Sequence, residues 1–185
     1  WNHLNGPMGG IVGDLGITSK GDIYAGIYPS WLKYSGLFKS TDNGDSWEKI
    51  VTPFNDFEVY AIYITEEDHI WIGTNFQDRI YRSTDNGLTW EIKRNGYNTG
   101  ECWAFGESKE GIMFAGDGQY QNTYRSTDYG DNWEFSAYLR PLVFATDSSN
   151  IVYAGTHDGL FGTTDNGITW AQNNFLANIA VSSIL

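Results

Sequence analysis

The chain has 185 residues and a net charge of −12, with 11 Lys and Arg against 23 Asp and Glu. Its basic residues are scattered, which excludes the clustered phosphate contacts of a nucleic-acid surface. No stretch reaches the roughly 20 apolar residues of a membrane helix, so no membrane insertion is expected.

Aromatic residues make up 16% of the chain and glycine contributes 22 residues. Apolar residues alternate with period two between Gly-rich turns, and no helical period persists, which points to an all-β protein. The single cysteine, Cys102, lies in the apolar run Cys102-Trp103-Ala104-Phe105 and reads as a buried thiol. No signal peptide is visible, and Trp1 reads as lying within a repeat.

Taken in chain order, Trp1-Asn2-His3-Leu4 reads as the last strand of a unit, a partial strand over 1–5. Four full units follow, over 11–50, 59–93, 102–136 and 142–173, and a partial strand over 180–185 opens another. Each unit carries an apolar opening strand, then a segment such as Asp22-Ile23-Tyr24-Ala25-Gly26, then a turn. The turns read Ser40-Thr41-Asp42-Asn43-Gly44-Asp45-Ser46-Trp47, Ser83-Thr84-Asp85-Asn86-Gly87-Leu88-Thr89-Trp90, Ser126-Thr127-Asp128-Tyr129-Gly130-Asp131-Asn132-Trp133 and Thr163-Thr164-Asp165-Asn166-Gly167-Ile168-Thr169-Trp170. Their aspartates are spaced by 43, 43 and 37 residues. One unit thus holds four short strands, A to D, over roughly 59–65, 69–74, 79–83 and 89–93 in the second. That is the size of one propeller blade, and the blades are expected around a common axis.

The turn lies between strands C and D. Its Asp (42, 85, 128, 165) accepts backbone N–H groups, its Gly (44, 87, 130, 167) supplies positive φ, and its Trp (47, 90, 133, 170) packs the start of strand D into the blade. These residues are expected to be structural. The turn is too short for a calcium loop, and His3, His69 and His157 share no metal-ligand spacing, so neither metal nor cofactor is expected.

Four in-register copies of S/T-x-D-x-G-x-x-W resemble the Asp-box, or BNR, repeat. It occurs in sialidases, family 74 xyloglucan hydrolases, sortilin-type receptors and photosystem assembly factors. The resemblance covers nearly the whole chain. It implies a propeller of roughly six to ten blades, with the Asp-boxes opposite the functional face, but no single function. A sialidase would need three clamping arginines, a Tyr–Glu pair and a Phe/Tyr-Arg-Ile-Pro segment; that segment is absent, and Arg82 and Arg125 read as strand C residues. A family 74 hydrolase would carry an Asp shortly after strand B of its first blade, where Tyr28-Pro29-Ser30 stands. No catalytic set can be assigned.

The functional face would then be built from the B–C and D–A loops. The first B–C loop, residues 27–36, is the longest, and Trp31 and Tyr34, with Lys33 between them, can stack on a sugar ring or grip a partner side chain. Phe76, Tyr97 and Tyr120 complete the expected ligand-binding set. Asn75, Gln119, His157, Asp158, Glu58, Glu101, Tyr138 and Arg140 occupy the same loops.

The reading is a non-catalytic binding or scaffold module of an exported protein, placed outside the cell, on its surface or in the periplasm, with a carbohydrate or protein ligand. A secreted glycoside hydrolase or lyase, with catalytic groups partly outside this chain, is the alternative. A self-assembling surface-layer or filament subunit is the third, because open blade edges invite self-association.

Overall fold

The computed structural model describes residues 10–28, 35–53, 57–75, 80–98 and 100–184. Among these lie sixteen strands and no helix. The first eight are β1 (Ile11–Ile17), β2 (Ile23–Tyr28), β3 (Gly36–Ser40), β4 (Glu48–Lys49), β5 (Val59–Ile64), β6 (Ile70–Thr74), β7 (Ile80–Ser83) and β8 (Glu91–Ile92). The rest are β9 (Cys102–Glu107), β10 (Met113–Asp117), β11 (Thr123–Ser126), β12 (Glu134–Ala137), β13 (Pro141–Thr146), β14 (Val152–Thr156), β15 (Gly159–Thr163) and β16 (Ala171–Gln172). They form four four-stranded sheets, each running in chain order and antiparallel throughout. Each sheet is a propeller blade, and the chain is an all-β protein of the β-propeller class. It divides into two compact units, Trp1–Ile92 and Lys93–Leu185, each holding two blades.

In the first unit, register alternation splits the side chains of β2 and β3 into two sets. Tyr24, Gly26 and Leu37 face the second blade, where Val59, Ile62, Ile70, Ile72 and Tyr81 meet them in one buried cluster. Ala25, Ile27 and Phe38 point the other way, with Trp47 packed on them. On β1, Ile11, Val12, Leu15 and Ile17 are exposed. The blades approach closely because Gly16 lies against Ile62 and Ile64, where a Cβ would come within 2.9 Å of three side-chain atoms.

The second unit repeats the scheme. Phe114 is fully buried, with Phe144 and Trp170 at ring-centroid distances of 5.9 and 5.8 Å. Gly106, paired with Phe114 in the sheet, makes room for Phe144. Cys102 is fully buried, and desolvation pushes its thiol pKa upward.

All four Asp-boxes share one hydrogen-bond pattern. Asp42 Oδ1 accepts the Ser46 N–H at 2.9 Å and the Ser40 hydroxyl at 2.8 Å, while Oδ2 accepts the Ser46 hydroxyl at 2.5 Å. Ser40 Oγ in turn accepts the buried Gly44 N–H at 2.8 Å. Asp85, Asp128 and Asp165 do the same with Thr89, Asn132 and Thr169. Two successive residues take left-handed backbone in each box: Asn43 and Gly44, Asn86 and Gly87, Tyr129 and Gly130, Asn166 and Gly167. Asn and Gly tolerate this region; Tyr129, at φ 53°, is the unfavourable exception.

The box also joins neighbouring blades. Tyr24 of β2 donates to the Asn86 carbonyl at 2.8 Å, and Asn86 Nδ2 reaches Asp22 at 2.9 Å. In the second unit Phe114, at the position equivalent to Tyr24, lies beneath Gly167, and Asn166 Nδ2 reaches Glu110 at 2.6 Å. A second repeated turn, between strands A and B, adds to this. Thr18, Thr65, Ser108 and Asp147 each accept the N–H four residues on, and Gly21, Asp68, Gly111 and Asn150 take positive φ. These turns also bond across blades: Ser19 N–H to Asp68 and Lys109 N–H to Asn150, both at 2.7 Å.

Residues 180–184 take no regular strand conformation. They nonetheless follow the strand A path. Val181 N–H donates to Thr156 O at 2.8 Å, and Val181 lies against Gly155 as Val59 lies against Gly26 and Pro141 against Gly116.

Two outcomes follow from the boxes. Ser83→Ala orphans the buried Gly87 N–H and should lower unfolding free energy by about 1–3 kcal/mol, whereas Ser83→Thr, which mimics Thr163, should be near neutral; chemical denaturation measures both. Hydroxyl and then backbone N–H donors hold Asp42, Asp85 and Asp165 at about 2, below the ordinary 3.8. A depressed carboxylate pKa adds stability that is complete above the unfolded value and vanishes as pH falls through the folded one. Melting temperature should therefore fall more steeply between about pH 4 and pH 2 in the wild type than in an Asp42→Asn, Asp85→Asn, Asp165→Asn triple variant.

Candidate functional site

In a four-stranded meander the A–B and C–D turns share one end of the blade, and the B–C and D–A connections share the other. Box carboxylates are occupied by their own turns, so chemistry available to a ligand concentrates at the second end. There the two units carry one recurring arrangement. Glu58-Val59-Tyr60 and Glu101-Cys102-Trp103 stand 43 residues apart, at the entry to β5 and β9. In each, the aromatic side chain reaches back to the carboxylate two residues earlier. Tyr60 OH donates to Glu58 Oε2, and Trp103 Nε1 donates to Glu101 Oε2 at 2.8 Å.

In the first unit Glu58 is buried and also accepts Asn75 Nδ2 at 2.8 Å, while its N–H donates to Asn75 Oδ1 at 3.1 Å. Tyr28 packs edge-on against Tyr60 at 5.5 Å. This ties the D–A connection to the B–C turn of one blade. Nearby Asp14, at a bulge in β1, accepts Ile62 N–H from the adjacent blade and Leu15 N–H, both at 2.8 Å. Desolvation raises its pKa, outweighing those two donors. The equivalent positions in the other blades are Ala61, Ala104 and Val143.

In the second unit the arrangement gains a cation. The Arg140 guanidinium lies 5.2 Å from the Trp103 ring centroid. Gly118 rests on the indole, and a Cβ there would clash with it. The Asp117 carboxylate holds the turn by accepting Gln119, Tyr120 and Gly100 N–H groups at 2.7, 3.2 and 3.1 Å. Gln119 and Tyr120 project from this turn, with Tyr120 61% exposed, and Tyr138 is 82% exposed two residues before Arg140.

The ligand-binding residues expected from sequence separate accordingly. Trp31, Lys33, Tyr34 and Phe76 lie outside the described residues. Tyr120 is exposed at the expected end of its blade. Tyr97 is a correction: it is 1% exposed, packed on Tyr124 at 4.7 Å and Trp133 at 6.2 Å, so its ring is core rather than ligand surface. Tyr60 and Trp103 were missed because each reads as an ordinary apolar strand residue. Their shared spacing from Glu58 and Glu101 is the signal that could have found them.

Comparison with known proteins gives the fold a context. The BNR/Asp-box repeat profile matches residues 81–91, the second box. No curated protein matches the chain by sequence. Among solved structures, an ancestral GH74 enzyme is similar at TM-score 0.70 and 20% identity, over 94% of this chain and 25% of that one. Virginiamycin B lyase from Staphylococcus aureus is similar at 0.66 and 16%, over 88% and 55%. YCF48 bound to D1 peptide is similar at 0.60 and 16%, over 87% and 52%. The chain spans a quarter to about half of these proteins, and at such identity the likeness is one of fold.

The Trp103 platform predicts its own sensitivity. Gly118→Ala must push the B–C turn off the indole and should cost roughly 1–3 kcal/mol in thermal or chemical denaturation. Gln119→Ala, on the same turn but exposed, should change stability by less than about 0.5 kcal/mol.

Proposed function

We propose that this chain, built of BNR/Asp-box repeats, is a ligand-binding module of an exported or cell-surface protein, taking a carbohydrate or protein ligand at the loop end of its blades. One observation carries the reading. Box carboxylates are consumed by repeated, nearly identical turns, whereas the opposite end of the third blade holds exposed Tyr120 and Tyr138 beside a supported arginine–tryptophan pair. Recognition favours varied groups on a rigid scaffold. Aromatic faces with amides and a fixed cation suit sugars and peptides alike. The exported setting rests on the resemblance to secreted members of the repeat family.

A glycoside hydrolase or lyase is the second reading. It is favoured by Asp14, a carboxyl whose pKa burial raises at a position apolar in the other blades, and by the similarity to a GH74 enzyme and a lyase. Turnover of a polysaccharide that disappears in Asp14→Asn while folding is retained would decide for the enzyme.

Binding is tested on glycan and peptide arrays with wild type and a Tyr120→Ala, Tyr138→Ala variant. The expected outcome is a specific signal that falls at least about tenfold in the variant, the scale of losing two stacking rings. A signal kept by this variant but lost when the exposed box residues Leu88 and Ile168 are replaced would place the ligand on the opposite end and refute the proposal.

A further inference from the structure

The observation that goes furthest is Arg140. The described part of this acidic chain pairs its cations with carboxylates repeatedly: Lys39 with Asp22, Arg82 with Glu91, Lys93 with Asp131 and Arg125 with Glu134. Arg140 has no carboxylate partner among the described residues. Its Nε is shielded from water and donates no hydrogen bond there. A guanidinium is planar and remains charged, and desolvating one of its N–H groups without a partner is unfavourable. Yet the surroundings hold it in place. Trp103 lies under it, the Trp103 ring is oriented by the bond from Nε1 to Glu101, and Gly118 supports the indole. A cation so oriented, with neither a carboxylate partner nor a hydrogen bond from Nε among the described residues, is preorganised for an anion brought from outside.

Two features narrow that anion. The chain carries net charge −12, so long-range repulsion disfavours a polyphosphate or heavily sulfated chain and leaves a ligand with no more than one charge per sugar ring as the better match. Exposed Tyr120 and Tyr138 lie at the same end of the blade, offering faces to the C–H surface of a pyranose ring. A monoanionic carboxylate on a sugar satisfies both, and a guanidinium takes a carboxylate with charge-assisted hydrogen bonds.

We propose that Arg140, seated on Trp103, is the specificity residue of a site for a carboxylated saccharide of the uronate class. This rests on the loop-end binding reading above and deepens it by naming the ligand chemistry. Arg140 contacts the carboxylate, Trp103 and Glu101 position it, and Tyr120 and Tyr138 contact the ring.

The test is calorimetric titration of the chain with digalacturonate, its dimethyl ester, a neutral glucose disaccharide and a short peptide with a free C-terminal carboxylate. Digalacturonate should bind, with affinity at least about tenfold above the ester and weakening with salt, as expected for a charge-assisted contact. Arg140→Gln should remove that difference between acid and ester, and Arg140→Lys should restore part of it. Thermal melting of each variant shows whether the Trp103 platform survives. Equal affinity for acid and ester, or full digalacturonate affinity in a folded Arg140→Gln variant, would overturn the inference. So would binding of the peptide alone. If the neutral disaccharide binds as well as the acid, and that binding depends on Tyr120 and Tyr138, the carboxylate assignment fails while the binding function stands. If neither saccharide binds and the arrays are also empty, both fail.

Discussion

Each blade depends on its neighbour, because a four-stranded sheet cannot cover both of its own faces. The contact that answers this is the seating of a strand B aromatic of one blade under the Asp-box of the next. Tyr24 does so through its hydroxyl on Asn86, and Phe114 does so by packing beneath Gly167 and against Trp170. The box must therefore have a fixed shape. Hydroxyl, carboxylate and left-handed Asx-Gly backbone supply it by closing the turn internally, so the box serves as a joint between blades as well as a reversal within one.

Glycine placement follows from the same demand. Gly16 and Gly106 stand beside those aromatics in strand A, and Gly26 and Gly116 lie within strand B against Val59 and Pro141. Without side chains there, backbones come close enough for large apolar residues of the next blade to fill the interface at native density. The second repeated turn, between strands A and B, bonds across the same interface through Ser19 and Asp68, and through Lys109 and Asn150. Two rows of turns thus knit one end of each unit, leaving little there for a ligand to use.

Constraint at one end permits variation at the other. Glu58 with Tyr60 and Asn75, and Glu101 with Trp103 and Arg140, begin from one repeated pattern and diverge. The first becomes a buried, internally satisfied network. The second carries a cation without a carboxylate partner among the described residues, beside exposed tyrosines. Divergence within a repeat is a physical route to specificity, because the scaffold's stability is set elsewhere and the loop residues are free to change.

The all-β class, the blade as the repeating unit and the chemistry of the box are legible in the residues alone. Those rest on local patterns, period-two alternation and Asx-Gly turns, which declare themselves over a few residues. Tertiary structure decided which aromatics are surface and which are core. Tyr97 and Tyr120 both lie in connections and look alike as letters. Tyr97 is enclosed by Tyr124 and Trp133, while Tyr120 stands free on a turn held by Asp117. Arg140 is the same case. That it lies over an indole, with no carboxylate partner among the described residues, depends on contacts across 37 residues of chain, which no local pattern encodes.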